Sequence, residues 1–551
     1  NVFTVMIGGK AGQGIKKAGV AAANFFNNLG RRVFQINDYP SLIRGGHNFS
    51  VVSSSTSKIY SHYMKADIVV CVDKKSYDIH KNDLADKGIL IYNSDEVKNS
   101  SVKGIGINIS SKAKNFEKPD LIKGVSGIAV LAAAVGLKKD KLNDIIKKEY
   151  PKSVDDNLKF ASDIFEVANE KINEKFDLKK SESKNSIFDG NELIGLGAAS
   201  AGLDVYFAYP MTPASNLLHF LAKNQNNLNL VAVHAENEIA VANMAIGSTF
   251  TGARTMVGTS GGGFCLMQEA FSLAGMCEAP VLFVLGQRPG PSTGVPTYTE
   301  QADLFMALNP GQGEFPRIVA SPGSFEEAFY LTSELMDLIW RLQTPGVLLS
   351  EKHLLESSMS VTINPDNTKW AEPVTQKSGE YIRYRDTDSG ISPLLFPPSD
   401  ALIKWNSYEH DEKGFTTEDP KIVTKMHDKR RKKLSSLLEY MKDLQTVNVF
   451  GDKGPLIFTF GSTTMSVLEA LDYGGIDATV VQIVYLNPFP VWELKKYEDK
   501  PPGIVVEQNS TGQLESLLGE KAGITFKGSI NKYDGRPFDP IKLSRKIREA
   551  L

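Results

Sequence analysis

Over residues 1–175, short hydrophobic runs rich in valine and isoleucine alternate with longer segments whose apolar positions recur at helical spacing. This alternation is typical of an α/β layered fold. The predicted strands are Phe3–Ile7, Arg32–Ile36, Phe49–Ser53, Asp67–Val72, Gly88–Tyr92 and Gly104–Ile109. Gly124–Leu137 is apolar and rich in alanine, and an amphipathic segment follows it as far as Tyr150. We therefore predict an α/β domain over residues 1–175.

A polar stretch without periodicity follows, and it predicts a linker over residues 176–190. The α/β pattern returns over residues 191–357, where short polar loops follow the predicted strands. The predicted strands are Val205–Tyr209, Leu230–His234, Arg254–Gly258 and Pro280–Gly286, and helices are predicted at 191–202, from near Glu236, and at 264–275. Ligands bind at the carboxyl ends of strands in open parallel sheets, so this domain is expected to carry a site.

Residues 358–445 have weaker periodicity, and we predict a connector there. Its basic run Lys425–Lys433 begins a probable helix, and the near-neutral total charge favours a solvated helix face over a nucleic-acid or lipid surface. A last α/β pattern over residues 446–551 has predicted strands at Leu456–Phe460, Ala478–Ile483 and Gly503–Glu507 and a helix from Met465. The chain is therefore expected to be an α/β protein of three α/β domains.

The composition excludes several classes of protein. At 551 residues the chain is too long for one hydrophobic core. A formal net charge of -2, with 42% hydrophobic and 23% charged residues, gives no support for binding to nucleic acid or to a membrane surface. The sequence contains no run near the ~18 apolar residues of a membrane span. It begins without a basic leader, and we expect a cytoplasmic protein.

The chain has three cysteines, Cys71, Cys265 and Cys277, and no Cys-x-x-Cys pair. This number and spacing fit neither a disulfide framework nor a zinc ribbon. They also fall short of the four thiolates that a [4Fe–4S] cluster normally takes. We expect reduced, buried thiols, and we predict no metal site in this chain.

The loop of residues 8–14 is rich in glycine and lies between a predicted strand and the segment after it. Gly12 and Gly14 could present backbone N–H groups to an anion, and Arg44 lies beside a second glycine pair that could complete the pocket. The P-loop motif fails because no Lys-Ser/Thr pair follows Gly14, and the dinucleotide motif fails because Lys17 replaces its third glycine. A tight turn without a ligand remains an equal alternative.

Four polar positions in the second domain could carry chemistry. Thr212 lies between two prolines at a strand end, where a rigid hydroxyl could orient a substrate or simply belong to a turn. Glu236 and Glu238 follow another strand, and either carboxylate could instead stabilise a helix N-terminus. Arg288 follows a third strand, where it could pair with a carboxylate or remain an exposed loop arginine.

Taken together, these segments resemble the alpha subunit of 2-oxoacid:ferredoxin oxidoreductases with a gamma-type domain fused at its N-terminus. The stretches that carry the resemblance are Tyr-Pro-Met-Thr-Pro-Ala-Ser (209–215), Ala-Glu-Asn-Glu-Ile-Ala (235–240), Gly-Ala-Arg-Thr-Met-Val-Gly-Thr-Ser-Gly-Gly-Gly-Phe (252–264), residues 287–304, Glu-His-Asp-Glu-Lys-Gly (409–414), Gly-Gly-Lys-Ala-Gly-Gln-Gly (8–14) and Ile-Arg-Gly-Gly-His (43–47). The family commonly has isoleucine, serine and proline where this chain has Met211, Ala214 and Gly262.

The resemblance implies a Rossmann-like gamma domain, a thiamine-pyrimidine-binding domain and a transketolase-C-terminal-like domain. It also implies that thiamine diphosphate is shared between this chain and a beta subunit. Glu236 matches the glutamate that binds the pyrimidine N1′, with Glu238 as the alternative if the register differs, and Thr212 and Arg288 match positions that face the substrate. Tyr209, Pro210, Gly261 and Gly262 belong to the same motifs and are expected to line the cofactor site.

Two absences in the sequence indicate a partner chain. A thiamine diphosphate site usually has Gly-Asp-Gly for the diphosphate and Mg²⁺, and the nearest sequence here is Gly-Asp-Lys at 451–453. The set of cysteines for a cluster is also missing. By the resemblance, the beta subunit supplies Mg²⁺ and a [4Fe–4S] cluster in an αβ or (αβ)2 heteromer, with ferredoxin as the electron acceptor and coenzyme A as cosubstrate.

The expected function is oxidative decarboxylation of a 2-oxoacid to an acyl-CoA and CO2. A non-redox thiamine-dependent decarboxylase or transketolase-like component and a non-catalytic acyl-CoA-binding scaffold are the alternatives. The acid-rich segment 409–412 could hold a metal ion or form an acidic surface turn.

Overall fold

The computed structural model describes residues 2–41, 46–98, 102–183 and 185–551. These residues form two compact units. Unit 1 comprises the described residues of 1–188 together with Ser357–Thr362 and Asp539–Leu543. Unit 2 comprises Asp189–Glu356, Ile363–Phe538 and Ser544–Leu551. No helix in these described ranges is long and apolar enough to cross a membrane.

The strands in chain order are β1 (Phe3–Lys10), β2 (Arg32–Asp38), β3 (His47–Ser55), β4 (Ala66–Cys71), β5 (Leu84–Asn93), β6 (Ile105–Ile107), β7 (Ser186–Asp189), β8 (Val205–Ala208), β9 (Val231–His234), β10 (Thr255–Ser260), β11 (Val281–Gln287), β12 (Ile318–Ala320), β13 (Gly346–Glu351), β14 (Ser358–Val361), β15 (Val447–Phe450), β16 (Leu456–Phe460), β17 (Thr479–Ile483), β18 (Tyr485–Asn487), β19 (Gly503–Glu507) and β20 (Phe526–Asn531).

The helices in chain order are α1 (Ile15–Asn28), α2 (Lys74–His80), α3 (Ile109–Ala113), α4 (Pro119–Ile122), α5 (Val125–Ala134), α6 (Lys139–Glu149), α7 (Val154–Lys171), α8 (Gly190–Ser200), α9 (Ser215–Leu228), α10 (Glu238–Phe250), α11 (Gly261–Cys277), α12 (Leu304–Leu308), α13 (Phe325–Leu342), α14 (Lys352–Glu356), α15 (Pro420–Met441), α16 (Thr463–Gly474), α17 (Val491–Leu494), α18 (Gln513–Ala522) and α19 (Pro540–Ala550).

Unit 1 contains a mixed sheet with the strand order β6-β5-β4-β1-β3-β2-β14-β7. Strands β1, β4, β5 and β6 are parallel, whereas β3, β2 and β14 are each antiparallel to the preceding neighbour. Helix α5 is buried along its whole length, because every residue in it is apolar or small. The sheet strand β14 comes from far along the chain, and the amide of Val33 donates to the Ser360 hydroxyl at 2.9 Å.

Unit 2 contains a sheet with the order β18-β12-β13-β11-β10-β8-β9, which is parallel except for β18. Its other sheet has the order β15-β17-β16-β19-β20 and is parallel except for β15. Buried side chains of both sheets, such as Phe283 and Phe458, belong to one hydrophobic cluster. This shared core explains why the two sheets form a single compact unit.

The expected α/β class is confirmed, with three sheets in the described part of the chain. Some predicted element bounds are wrong. Helix α10 begins at Glu238, close to the expected start near Glu236, and the Asn237 side chain caps it by accepting from the Ala240 amide. Helix α11 begins at Gly261 rather than at 264. The sequence analysis also missed β14, since a strand of four residues is too short to give a clear periodic signal.

The basic run at Lys425–Lys433 is not the solvated face that we predicted. Lys429, Arg430 and Lys433 are buried on α15. The Glu278 carboxylate forms ion pairs with the ammonium groups of Lys429, at 2.7 Å, and Lys433. Buried charges are tolerated when they are paired, so a run of charged residues does not by itself mark a solvated face.

Candidate functional site

The predicted site residues of unit 2 follow strands that lie side by side. Tyr209, Pro210 and Thr212 follow β8, Glu236 follows β9, Gly261 and Gly262 follow β10, and Arg288 follows β11. These parallel strands have the order β11-β10-β8-β9, so their carboxyl ends meet at one edge of the sheet. The fold therefore brings segments up to 80 residues apart to the edge where ligands bind in open parallel sheets.

Arg288 is half-buried at this edge, and it is fixed by the loop after β8. Its Nη1 donates a hydrogen bond to the backbone carbonyl oxygen of Thr212 at 2.8 Å. Burial lowers the pKa of Arg288, and the charge of Asp303 opposes this shift. Burial also raises the pKa of Asp303 to about 6, and the charge of Arg288 opposes that shift. Arg288 is thus a preorganised cation whose nearby carboxyl group is only partly ionised at pH 6.

A cavity of 550 Å³ lies beside Arg288. Its wall includes Met211, Ser260, Gly261, Gly262, Cys265, Arg288, Asp303 and Met306. The position of Asp303 is fixed because its amide donates to Oε1 of the buried Gln287 at 3.0 Å. A cationic group in a concave site of this size suits a small organic anion.

The glycines at the start of α11 keep this region open. A Cβ atom at Gly261 would lie 2.6 Å from Oδ2 of Asp303, and a Cβ atom at Gly263 would lie 2.1 Å from Oγ1 of Thr259. Gly262, in contrast, has open space around its missing Cβ. Side chains at Gly261 and Gly263 are therefore excluded by close neighbours, whereas Gly262 borders the cavity itself.

The two candidate glutamates differ in their surroundings. Glu236 is exposed, and its Oε1 accepts only a long hydrogen bond of 3.4 Å from Asn237 among the described residues. The rings of Tyr209 and His234 lie nearby along the same strand ends, with centroids 5.9 Å apart. Glu238 is buried against Gly263, and its Oε1 has no hydrogen-bond partner in the described part of the chain. An exposed carboxylate at this edge can bind a ligand directly.

Comparison with known proteins identifies the family. Residues 196–429 match the family described as pyruvate flavodoxin/ferredoxin oxidoreductase, thiamine diP-bdg, and residues 4–167 match pyruvate ferredoxin/flavodoxin oxidoreductase. The 2-oxoacid:ferredoxin oxidoreductase subunit alpha of Sulfolobus sp is 31% identical over 99% of this chain and 96% of its own length. The chain belongs to the 2-oxoacid:ferredoxin oxidoreductase family.

Other members of the family are similar over different parts of the chain. The 2-oxoglutarate synthase subunit KorA of Archaeoglobus fulgidus is 30% identical over 66% of this chain and 99% of its own length. The solved structure of the 2-oxoglutarate:ferredoxin oxidoreductase from Magnetococcus marinus, with 2-oxoglutarate, coenzyme A and succinyl-CoA bound, has a TM-score of 0.90 at 27% identity. It covers 100% of this chain, and 99% of that chain is matched.

The residues at the strand ends of this family member fit the pyrimidine end of thiamine diphosphate. That ring needs an acceptor for N1′, an apolar or aromatic wall and room for backbone to approach. The site offers the exposed carboxylate of Glu236, the ring of Tyr209 and the glycines 261 and 262. Ser260 and Gln287 add buried side-chain atoms, Oγ and Nε2, that lack hydrogen-bond partners among the described residues. The donor set is therefore suitable for a polar heterocycle.

The sequence analysis missed Asp303 and Gln287, although both lie within the stretch 287–304 that carried the resemblance. A carboxylate 15 residues after Arg288 belongs to no spacing motif, so only the fold reveals that the two share a cavity. A further missed carboxyl group is Glu351, at the carboxyl end of β13. Burial raises the pKa of Glu351 to about 7, while the amide of Ser462 donates to it at 2.6 Å.

The expectation of buried thiols is wrong for one cysteine. Cys71 and Cys277 are buried, whereas Cys265 is exposed, because α11 directs it towards the cavity. Its Sγ lies 3.4 Å from Sδ of Met306.

The segment 409–412 leads into a turn, one of the alternatives that the sequence left open, in which the Gly414 amide donates to the Asp411 carbonyl oxygen at 3.0 Å. Glu409 forms two hydrogen bonds with Arg430, at 2.9 and 2.6 Å, and Glu412 pairs with Lys425. His410 is buried, with its ring centroid 3.9 Å from that of Tyr384. Across the described residues, no group of three or more His, Cys, Asp or Glu side chains is arranged to hold a metal ion. The acidic residues instead bind helix α15.

The glycine-rich loop of unit 1 is a tight turn that leads into α1. Gly12 and Gly14 have positive φ angles of 93° and 70°, which glycine adopts without strain. The Gln13 side chain supports the turn by accepting from the Lys10 amide at 2.8 Å. Arg44, the third residue of the candidate anion site, lies outside the described residues.

Proposed function

We propose that this chain binds the aminopyrimidine end of thiamine diphosphate in an enzyme that oxidatively decarboxylates a 2-oxoacid to an acyl-CoA and passes the electrons to ferredoxin. The observation that carries the proposal is the shared sheet edge at which the exposed carboxylate of Glu236 follows β9 and the half-buried Arg288 follows β11. The activities named for the relatives from Sulfolobus sp and Magnetococcus marinus support it.

Each residue has a role that its surroundings allow. The Glu236 carboxylate would accept a hydrogen bond from a protonated pyrimidine N1′, since among the described residues it has only one long hydrogen bond, from Asn237. Arg288 pairs with the substrate carboxylate, and its contact with the Thr212 carbonyl orients the guanidinium. The Thr212 hydroxyl orients the substrate carbonyl, while Tyr209, Pro210, Gly261 and Gly262 form the wall. Thiamine diphosphate, when bound, supplies the electron sink that permits loss of CO2.

We further propose that a beta subunit completes the site by binding the diphosphate, Mg²⁺ and a [4Fe–4S] cluster. The absence of Gly-Asp-Gly and of a fourth cysteine from the sequence supports this division of labour. The site edge also exposes apolar side chains that a partner would cover. These are Tyr209, Ile239, Met244 and Leu266. An αβ or (αβ)2 heteromer follows from the same reasoning.

Coenzyme A is proposed as the acyl acceptor, and unit 1 offers a candidate loop for its phosphates. Gly12 and Gly14 place backbone N–H groups at the start of α1, and Arg44, which is beside a second glycine pair in the sequence, would add a charge. The predicted domains of residues 1–175, 191–357 and 446–551, joined by 176–190 and 358–445, remain our proposed division of the sequence.

The test is a set of alanine variants in the complex purified with its partner. Glu236→Ala is expected to lower 2-oxoacid-dependent reduction of ferredoxin or a viologen at least a hundredfold, because general acid–base contributions are of that order. Glu269→Ala, on an exposed part of α11, is the matched control and keeps full activity. A hundredfold loss in Glu238→Ala with an active Glu236→Ala assigns the role to Glu238 and refutes our assignment.

The same assay separates the rival functions. CO2 release from a 2-oxoacid panel without dye reduction identifies a non-redox decarboxylase. No turnover with any 2-oxoacid, combined with binding of acyl-CoA, identifies a scaffold. Turnover that requires coenzyme A and reduces the dye supports the proposed oxidoreductase, and the panel names the preferred substrate.

A further inference from the structure

Unit 2 has a second pocket, of 270 Å³, that shares no lining residue with the cavity beside Arg288. One wall is a face of helix α15, and the other is the segment that leads into β12. The helix contributes residues at spacings of three, four and seven, which place them on one face. These residues are His427, Arg430, Arg431 and Leu434. The opposite wall includes Phe315, Pro316, Arg317 and Asn487.

Arg317 is a partly buried cation that has no ion pair in the described part of the chain. Its Nε donates to the Leu308 carbonyl oxygen at 2.7 Å, and its guanidinium carbon lies 5.3 Å from the centroid of the Phe315 ring. Burial lowers the pKa of Arg317. The Asn487 side chain donates to the Arg317 carbonyl oxygen at 2.7 Å and so fixes the backbone there. A desolvated guanidinium held this firmly is stabilised by an anion in the adjacent pocket.

The helical wall adds more positive than negative charge. Arg430 is held in place by its two hydrogen bonds to Glu409, and His427 Nε2 lies 3.3 Å from the same carboxylate. Arg431 is exposed and has no ion pair or hydrogen bond among the described residues. Glu314 is the acidic side chain in the lining. Three arginines therefore face two carboxylates, which leaves the pocket cationic.

We propose that this pocket binds a small phosphomonoester, with the phosphoryl group between Arg317 and Arg431. Arginine suits phosphoryl oxygens because its planar fork donates two parallel hydrogen bonds. Phe315, Pro316 and Leu434 supply apolar contacts for a carbon skeleton. The volume is slightly below the ~300 Å³ of sites for drug-sized ligands, so the ligand is compact. Bound ligand joins α15 to the segment before β12 and so stabilises unit 2.

The test is thermal unfolding of the full chain, together with any subunit that stays bound, in titrations of inorganic phosphate and of glycerol 3-phosphate at constant ionic strength. A ligand that binds only the folded state raises the unfolding midpoint in a saturable way. We expect glycerol 3-phosphate to bind more tightly than inorganic phosphate, because it also uses the apolar wall. Equal affinity for the two would overturn the assignment to a phosphomonoester.

Arg431→Gln is the informative variant, since an exposed and unpaired side chain can be replaced without harm to the fold. This variant is expected to bind both ligands about tenfold more weakly, because one charge-assisted hydrogen bond is lost. Arg431→Lys keeps the charge and should recover part of the affinity. Arg545→Gln removes an exposed arginine of α19 and should bind like the parent chain. Stabilisation by phosphate that persists unchanged in Arg431→Gln would place the anion elsewhere and refute the proposal.

Discussion

At the scale of single residues, Asp303 contributes to the pH dependence of the stability of unit 2. Burial raises the pKa of Asp303 to about 6 in the folded chain, from an ordinary value of 3.8. The folded state therefore binds this proton more tightly than the unfolded state, and the stabilising contribution is complete below pH 3.8. It is lost as the pH rises through 6.

Replacement of Asp303 by asparagine should remove the cost of ionising a buried carboxyl group at high pH. We expect Asp303→Asn to raise the unfolding midpoint at pH 8 relative to the parent chain and to give a smaller gain at pH 5. The measurement is thermal unfolding of both proteins at the two pH values. Asp499→Asn, at an exposed position, serves as control and should shift neither midpoint. A larger gain at pH 5 than at pH 8 contradicts the raised pKa.

Part of the candidate site is readable from the sequence and part is not. Thr212, Glu236 and Arg288 each follow a recognisable apolar strand, so a pattern of alternating elements already places them at the sheet edge. Asp303 lies between a long loop and α12, and its proximity to Gly261 depends on how that loop returns across the sheet. The exposure of Cys265 likewise depends on the cavity rather than on local residue types.

At the scale of elements, the buried carboxylate of Glu278 anchors helix α15. It lies just after α11, and the ammonium groups of Lys429 and Lys433 both contact it. Burial lowers the pKa of Lys433 to about 7, and the Glu278 charge opposes the shift. The three groups depend on one another because removal of the carboxylate leaves two ammonium groups without a counter-ion.

We expect Glu278→Gln to lower the free energy of unfolding of unit 2 by about 3–5 kcal/mol, the usual cost of breaking a buried ion pair. Urea unfolding followed by circular dichroism measures the free energy of unfolding of the parent chain and the variant. Glu439→Gln, which removes an exposed pair with Lys442 on the same helix, should cost less than about 1 kcal/mol. Adding Lys429→Met and Lys433→Met to Glu278→Gln should restore stability, and a further loss would show that packing rather than charge dominates.

The glycines at the start of α11 give a matched pair of substitutions. We expect Gly263→Ala to destabilise the chain by about 1–3 kcal/mol, because its Cβ would overlap Thr259 and Glu238. Gly262→Ala has open space and should be neutral or stabilising by up to about 1 kcal/mol, the difference in helix propensity. The measurement is the denaturant concentration at the unfolding midpoint, compared between the two variants. Equal destabilisation would show that the close approach at Gly263 does not matter.

Proline, which the resemblance to the family leads us to expect at position 262, is compatible with the structure. The position lies in the first turn of α11, where proline is tolerated because its missing N–H is not needed.

Most elements of the fold were predictable from periodicity, including Leu456–Phe460 and Gly503–Glu507, which match β16 and β19. The strands that pair with β14 and β18 were not predictable, because pairing between distant segments leaves no local pattern in the sequence.

At the scale of the whole molecule, the apolar residues around the site edge should bind the proposed partner subunit. We expect Ile239→Asp to weaken co-purification of the partner at least tenfold, because a charge in the core of an interface is costly. The unfolding midpoint of the chain itself should not change, since Ile239 is 53% exposed. Leu402→Asp, at a position 68% exposed in the connector, is the control and should retain the partner. Full recovery of the partner with Ile239→Asp would assign the interface elsewhere.

Unit 1 contains segments from distant parts of the chain, so the ribosome synthesises some of its residues much later than the rest. Its sheet lacks β14 until Val361 has been translated, and the Met64 amide has no acceptor at Asp539 until almost the last codon. Domains tend to fold as they emerge, N-terminal first, yet strand β14 of this unit is synthesised only after Asp189–Glu356 of unit 2. The edge of β2 that pairs with β14 thus stays unpaired until β14 has been synthesised. An unpaired strand edge is the place where a chaperone or a neighbouring nascent chain would bind.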